Sequence, residues 1–335
     1  MEKRKILITG GAGFIGSNIA ANELAKGHDV WVVDSLITGQ LGNIQPYLKN
    51  PAFRFDQADI STWAKMPQAV SWADRIFHMA ATVGQKYVLK HPVYTITNNI
   101  DGTEAIFKAM ADTKTRARLV IASTSELYCH SKENPDGTVS ETAEITMNTK
   151  VFQQATYPVG KLVNEVMGLS YAFEKGIHMT IARIFNTIGM NQSPAYGMVV
   201  PNFIDQALSQ QPLTVYGDGL QSRSFIDARD TAVALDLLLD HPESSSEIYN
   251  VGQSKECNIL DLARLIIKKT GSTSTIRYVS YEEAYFGLPF IDVRRRQPDT
   301  RKINKLTGFT PRWTLDDTIE MILQEKLNKQ GCKCV

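Results

Sequence analysis

The sequence predicts an α/β protein: a doubly wound parallel sheet followed by a smaller, more irregular α/β region. Three observations carry the prediction. Through residues 1–185, short β-branched runs alternate with helix-length segments, the rhythm of parallel crossovers. The runs are nearly continuously apolar, as strands become when helices cover both faces of a sheet. Past Phe185 the rhythm breaks at Gly and Pro clusters in 189–201 and 212–219. The chain therefore divides into 1–185 and 186–335, with some segments of the second part expected to return to the sheet of the first.

Each element follows from its own residues. KILIT (5–9) is the first apolar strand, and 14–26 continues it with helical spacing. DVWVVD (29–34), FRFDQAD (53–59) and RIFHMAA (75–81) are the next three strands, and 101–111 is a helix. RLVIAST (118–124) is a strand that ends in hydroxyls, 157–173 a helix, and MTIARIF (179–185) a strand. Later, 259–270 and 315–327 are amphipathic helices, the second entered through Thr314 with Asp316 and Asp317 in its first turn.

Bulk properties narrow the function. A chain of 335 residues with 43% hydrophobic content supports one large core or two linked ones. With 36 basic and 35 acidic residues, no net field favours nucleic acid, so small molecules are the expected ligands. Cys129, Cys257, Cys332 and Cys334 lack the paired spacing of a zinc site, and no metal site is expected. No secretory leader is read at the start, and no apolar stretch approaches the ~18 residues of a bilayer span. A soluble, cytoplasmic protein is the expectation, with the terminal CKCV a frayed tail that matches no prenylation box.

The first strand runs into ITGGAGFIG, which places Gly10, Gly13 and Gly16 ahead of a helix, with Phe14 and Ile15 between them. Missing side chains allow a tight turn and let main-chain N–H groups approach a pyrophosphate at the positive helix end. Asp34 closes the next strand, 18 residues past Gly16. An acid there accepts ribose hydroxyls and repels a 2′-phosphate, so NAD is expected rather than NADP. Farther on, ASTSE (122–126) puts Ser123, Thr124, Ser125 and Glu126 at a buried strand's end, where an unpaired polar group costs about 1–3 kcal/mol. In TYPVGK, Tyr157 and Lys161 share one helix face. A tyrosine near its usual pKa of about 10 is a poor base, but a neighbouring ammonium and an oxidised nicotinamide both favour the phenolate.

The GxxGxxG spacing resembles the short-chain dehydrogenase/reductase superfamily. The chain length and later motifs resemble its extended branch, the NAD-dependent nucleotide-sugar epimerases, dehydratases and decarboxylases, over nearly the whole sequence. The resemblance implies a Rossmann cofactor domain over 1–185 and a nucleotide-sugar region over 186–335. It implies that Asp59 and Ile60 lie at the adenine, that Met79, Ala80 and Ala81 lie under the cofactor, and that Asn99 of NNIDGT and Phe185 belong to the cofactor site. It implies Tyr157 and Lys161 as the catalytic pair and Thr124, four residues before Tyr128, as the third catalytic group. It further implies substrate contacts from Asn186 of ARIFNTIG, Val200 and Phe203 of GMVVPNF, Val215 of LTVYGDG, Arg223 of QSRSFIDARD and Arg296 of the RxPD-like stretch. A guanidinium suits a diphosphate geometrically.

Within that branch, oxidation at C4 of the sugar gives a ketone, with the cofactor regenerated in the same cycle. The ketone acidifies C5 and turns a C6 carboxylate into a β-keto acid. Dehydratases carry Thr-Asp-Glu, whereas this chain has Thr124-Ser125-Glu126 and lacks the acid that protonates a departing C6 hydroxyl. The triplet resembles that of the UDP-glucuronate decarboxylases, so decarboxylation is favoured. A 4-epimerase of UDP-hexoses or hexuronates and a 4,6-dehydratase stay open. Cys129 stands where the family usually has Gly. An NADPH-dependent reductase or a non-catalytic NAD-sensing scaffold is the rival of another class; Asp34 opposes the first, and the presence of Thr124, Tyr157 and Lys161 opposes the second. The resemblance also implies a homodimer formed by the helices after Asn99 and around Tyr157.

Overall fold

The computed structural model describes residues 2–331; the CKCV tail, at 332–335, lies outside them. Strands β1 (Lys5–Thr9), β2 (Asp29–Asp34), β3 (Phe53–Gln57), β4 (Arg75–His78), β5 (Arg118–Thr124) and β6 (His178–Ile184) follow the apolar runs of the sequence. The short strands β7 (Thr187–Ile188), β8 (Leu213–Tyr216), β9 (Ser222–Ser224) and β10 (Ile226–Asp227) come next, then β11 (Ile248–Val251), β12 (Glu256–Asn258) and β13 (Ile276–Val279). Helices are α1 (Phe14–Ala25), α2 (Met66–Trp72), α3 (Gln85–Lys90), α4 (Pro92–Thr113), α5 (Phe152–Lys175), α6 (Val199–Leu208), α7 (Ala228–Asp240), α8 (Ile259–Thr270), α9 (Tyr281–Ala284), α10 (Arg301–Thr307) and α11 (Leu315–Gly331).

Seven strands form one parallel sheet in the order β11-β6-β5-β4-β1-β2-β3. Alternation along β1 sends Ile6 and Ile8 into one core layer, with α1 and α7, and Leu7 into the other, with α2, α4 and Trp31 of β2. Burial on both faces explains the unbroken apolar runs. β11 brings a segment from beyond residue 186 back to the sheet edge, beside β6. Of the other late elements, α7 and α10 pack on the sheet, whereas α6, α8 and α11 with β8 make a separate apolar cluster. Chain order reverses between β1 and β4, so ligands are expected where the loops after these strands part, at the carboxyl ends. Among the described residues, no helix is long and apolar enough to cross a membrane.

Candidate active site

The carboxyl ends of the central strands open on a cleft of about 560 Å³, walled on the far side by residues of the second half of the chain. That is the size of a small-molecule site.

At one end, main chain does the shaping. Gly10 has φ +69°, and a Cβ on it would stand 2.6 Å from the Ala80 nitrogen; a Cβ on Gly16 would stand 2.2 Å from the Gly10 carbonyl oxygen. The turns after β1 and β4 meet only because these side chains are missing. Gly13 is the N-cap of α1, with no side-chain cap and no acid in the first turn, so the helix end offers its N–H groups and positive pole to an anion. Asp34 is buried at the end of β2 and accepts N–H bonds from Ala12 (3.0 Å) and Leu36 (2.8 Å); burial still holds its carboxyl above the usual range. Phe14, Ile15, Asp59, Ile60, Met79, Ala80 and Ala81 line the same end. His78, buried beneath it, has both ring nitrogens bonded, to Thr9 at 2.7 Å and Thr103 at 2.8 Å, and desolvation lowers its pKa to about 3. It is a satisfied core group.

Two expected contacts lie elsewhere. Asn99 does not line the cleft; its side-chain oxygen accepts the Thr82 N–H (2.6 Å) and its amide donates to the Thr82 carbonyl (3.1 Å). It fixes the loop that lines the cleft instead. Val215 points into the apolar cluster of the second region, because side chains alternate along β8 and its neighbours Thr214 and Tyr216 take the cleft side.

The polar strand end resolves into two systems. Ser123 donates to Glu165 (2.5 Å), whose carboxylate is gripped by Arg183 Nε (2.9 Å) and Nη2 (2.7 Å). Arg183 Nη1 also donates to the Tyr128 hydroxyl (2.8 Å), which donates to Asn250 (2.8 Å). This fully bonded buried pair is the foundation below the site. Above it, Thr124 caps a short 3₁₀ turn, Ser125–Tyr128: its Oγ1 accepts the Glu126 N–H at 3.1 Å, and its hydroxyl proton is free to turn toward the nearby Tyr157. Lys161 is buried one helical turn on and donates to the Ala122 carbonyl at 2.8 Å. Desolvation lowers its pKa to about 8, against the pull of Glu165. The Tyr157 phenol goes the other way. Burial, then the nearby Glu126, push its pKa well up, and the Thr124 bond and Arg296 oppose them only in part. The Lys161 ammonium, for its part, is engaged with the Ala122 carbonyl. Burial likewise raises Glu126, with Arg296 and then Arg223 pulling it back.

Phe185, Asn186, Val200, Phe203, Arg223 and Arg296 line the opposite side. Arg223 Nη2 pairs with Asp292 at 2.6 Å, and its Nη1 donates to the Ser222 and Val293 carbonyls, both at 2.7 Å. Arg296 is 8% exposed; it donates to Asn186 Oδ1 (3.2 Å) and Cys129 Sγ (3.7 Å), and its Nε has no partner. Sequence reasoning missed Gln154, Tyr281, Tyr285 and Asp292, all lining residues. Tyr281 donates to Asp292 (2.5 Å), and Gln154 clamps Ile291 by two main-chain bonds (2.8 and 3.1 Å). Gln154 could have been found from its place three residues before Tyr157 on one helix face; the others depend on folding alone.

The family model of the NAD dependent epimerase/dehydratase family matches residues 6–252. A UDP-glucuronic acid decarboxylase 1 of Xenopus tropicalis is 34% identical over 98% of this chain and 71% of its own length. A UDP-N-acetyl-alpha-D-glucosaminuronate decarboxylase of Bacillus cytotoxicus is 32% identical over 96% of this chain and 97% of its own. The crystal structure of a UDP-glucuronic acid 4-epimerase from Bacillus cereus in complex with NAD superposes with a TM-score of 0.81 at 27% identity, covering 96% and 99% of the two chains. The glycine turn, the strand-end triplet and the tyrosine–lysine helix thus occur together in a chain that belongs to the NAD-dependent epimerase/dehydratase family.

Proposed function

We propose that this chain binds NAD and a UDP-hexuronate and releases the sugar's C6 carboxylate as CO₂ by way of a 4-keto sugar. The observation that carries this is one constellation: Thr124 and Tyr157 close together, Glu126 beside them, Ser125 where a dehydratase would need an acid, and Arg296 facing the same space. The names of the decarboxylase relatives support the same reaction.

The cradle fits the cofactor: Gly10, Gly13 and Gly16 leave the room a pyrophosphate takes, the start of α1 meets its charge, and the buried Asp34 suits a ribose diol and opposes a 2′-phosphate. NAD, when bound, supplies a positively charged ring that accepts the C4 hydride and later returns it. Tyr157 takes the proton of the C4 hydroxyl, and Thr124 holds the reacting oxygen. The 4-ketone stands β to the C6 carboxylate, so the C5–C6 bond breaks with its electron pair delocalised to the ketone oxygen. Protonation at C5 completes the loss of CO₂ and leaves a UDP-4-keto-pentose; return of the hydride to C4 and of a proton from Tyr157 to the C4 oxygen gives the UDP-pentose. Glu126 positions the carboxylate or handles the C5 proton, and Lys161 fixes Tyr157's surroundings through Ala122. Arg223 and Arg296 serve the diphosphate and the sugar acid.

The test is to weigh the products from UDP-glucuronate, UDP-glucose and UDP-N-acetylglucosamine. Loss of CO₂ from the first alone is expected. Loss of water marks a dehydratase, and unchanged mass with an altered C4 coupling marks the 4-epimerase.

We assign cofactor binding chiefly to 1–185 and sugar-nucleotide binding to 186–335. We also infer a homodimer built on α4 and α5, whose Val93, Phe152, Val163, Val166 and Phe173 are exposed apolar side chains. The free thiols Cys129 and Cys257 are in keeping with a reducing cytosol.

A further inference from the structure

Four arginines crowd the sugar end of the second half, and three of them have a carboxylate partner. Arg223 pairs with Asp292 at 2.6 Å, Arg294 with Asp218 at 2.7 Å and Arg295 with Glu256 at 2.7 Å. Arg296 is the exception: among the described residues no carboxylate lies within ion-pair distance of it. It is nevertheless more than nine-tenths buried, lines the cleft and keeps a buried Nε without a partner. An unpaired buried cation is costly, and it is kept only where an anion is to be met.

Its orientation comes from two uncharged acceptors. Asn186 Oδ1 takes one Nη2 bond, and the Sγ of Cys129 takes an Nη1 bond at 3.7 Å. Cys129 follows the catalytic 3₁₀ turn directly and donates its own N–H to the Glu126 carbonyl at 3.2 Å, so its main chain is tied to the strand-end triplet. Burial pushes the thiol's pKa up despite Arg296, so the sulfur is a neutral, weak acceptor. Such a partner fixes a guanidinium without cancelling its charge. Glycine at this position would leave it held by Asn186 alone, and an acid would neutralise it.

We propose that Cys129 is a positioning residue that sets substrate choice, holding Arg296 so that its charge, tied up in no ion pair, meets the carboxylate of a hexuronate and gives no advantage to a neutral hexose. The inference rests on the function proposed above.

The test uses the NAD-loaded protein carrying Tyr157→Phe, so that the sugar nucleotide is bound but not converted, and compares Kd for UDP-glucuronate and UDP-glucose by calorimetry. Adding Cys129→Ala should weaken UDP-glucuronate about tenfold and leave UDP-glucose within about twofold. Cys129→Ser restores an acceptor and should recover most of the loss; Cys129→Asp should weaken UDP-glucuronate more than Cys129→Ala does. An unchanged ratio of the two affinities, or an equal fall in both, overturns the role of the thiol. If UDP-glucuronate fails to bind with Cys129 intact, the proposed function is overturned, and this inference with it.

Discussion

The wall of the cleft supplied by β1, β2, β4 and the start of α1 is mostly main chain, whereas the wall supplied by residues beyond 215 is a set of side chains holding one another. In the first, shape follows from absent atoms: Gly10 and Gly16 allow contacts of 2.6 and 2.2 Å from would-be Cβ positions. In the second, Arg223 needs Asp292, Arg296 needs Asn186 and Cys129, and the 285–296 stretch is pinned to α5 by Gln154 on Ile291. A wall made of backbone admits one ligand shape. A wall made of paired side chains can be retuned by a single substitution, which suits a family that keeps one cofactor and varies the sugar.

Perturbing each wall should therefore give different signatures. The largest effect belongs to the group shared by both, Tyr157: replacing it with Phe should lower turnover by about 10³, within the range of general acid–base catalysis, and leave bound NAD in place. Activity within tenfold of the parent would remove Tyr157 from the chemistry. Gly16→Ala attacks the backbone wall by overpacking, roughly 1–3 kcal/mol, and should weaken NAD about ten- to hundredfold in a direct titration. Unaltered NAD affinity would mean that the glycines are only a turn.

Lys161 gives a pH signature of similar size. Its pKa is about 8 in the fold against the usual 10.5, so between those values the unfolded chain holds a proton that the folded chain has released. Unfolding free energy must then rise with pH across that window. Relative to Lys161→Met, the cofactor-free parent should gain roughly 1–3 kcal/mol from pH 8 to about 10.5 in denaturant titrations. A flat difference would contradict the burial of a charged amine. The smallest effect belongs to the side-chain wall: Asp292→Asn should shift the KM of the sugar nucleotide by only about threefold, like the loss of one partly exposed ion pair, with NAD binding unaffected.

Legibility in the sequence follows the same division. Strands buried on both faces announce themselves as apolar runs, and a glycine turn between strand and helix is a local signal, so the sheet and the cofactor end could be read directly. Thr124, Tyr157 and Lys161 were legible because helix spacing and a polar strand end are also local. Val215 was misplaced although the alternation Leu213, Thr214, Val215, Tyr216 already separates apolar from cleft-facing positions. Asn99 acts one step away, through Thr82. The Asp292–Arg223 pair, the Gln154–Ile291 clamp and the Arg296–Cys129 contact join residues 69, 137 and 167 positions apart, and no local pattern marks them. The engagement of Lys161 by Ala122 is likewise a result of packing.

The central claim is that these groups make a 4-ketone and then let C6 go. It is tested most directly by running the NAD-loaded protein on UDP-glucuronate in deuterium oxide and reading the product by NMR and mass spectrometry. The expected product is a UDP-pentose with one solvent deuterium at C5, the C6 carbon being released as CO₂. A product that keeps C6 and carries no deuterium at C5 would contradict it.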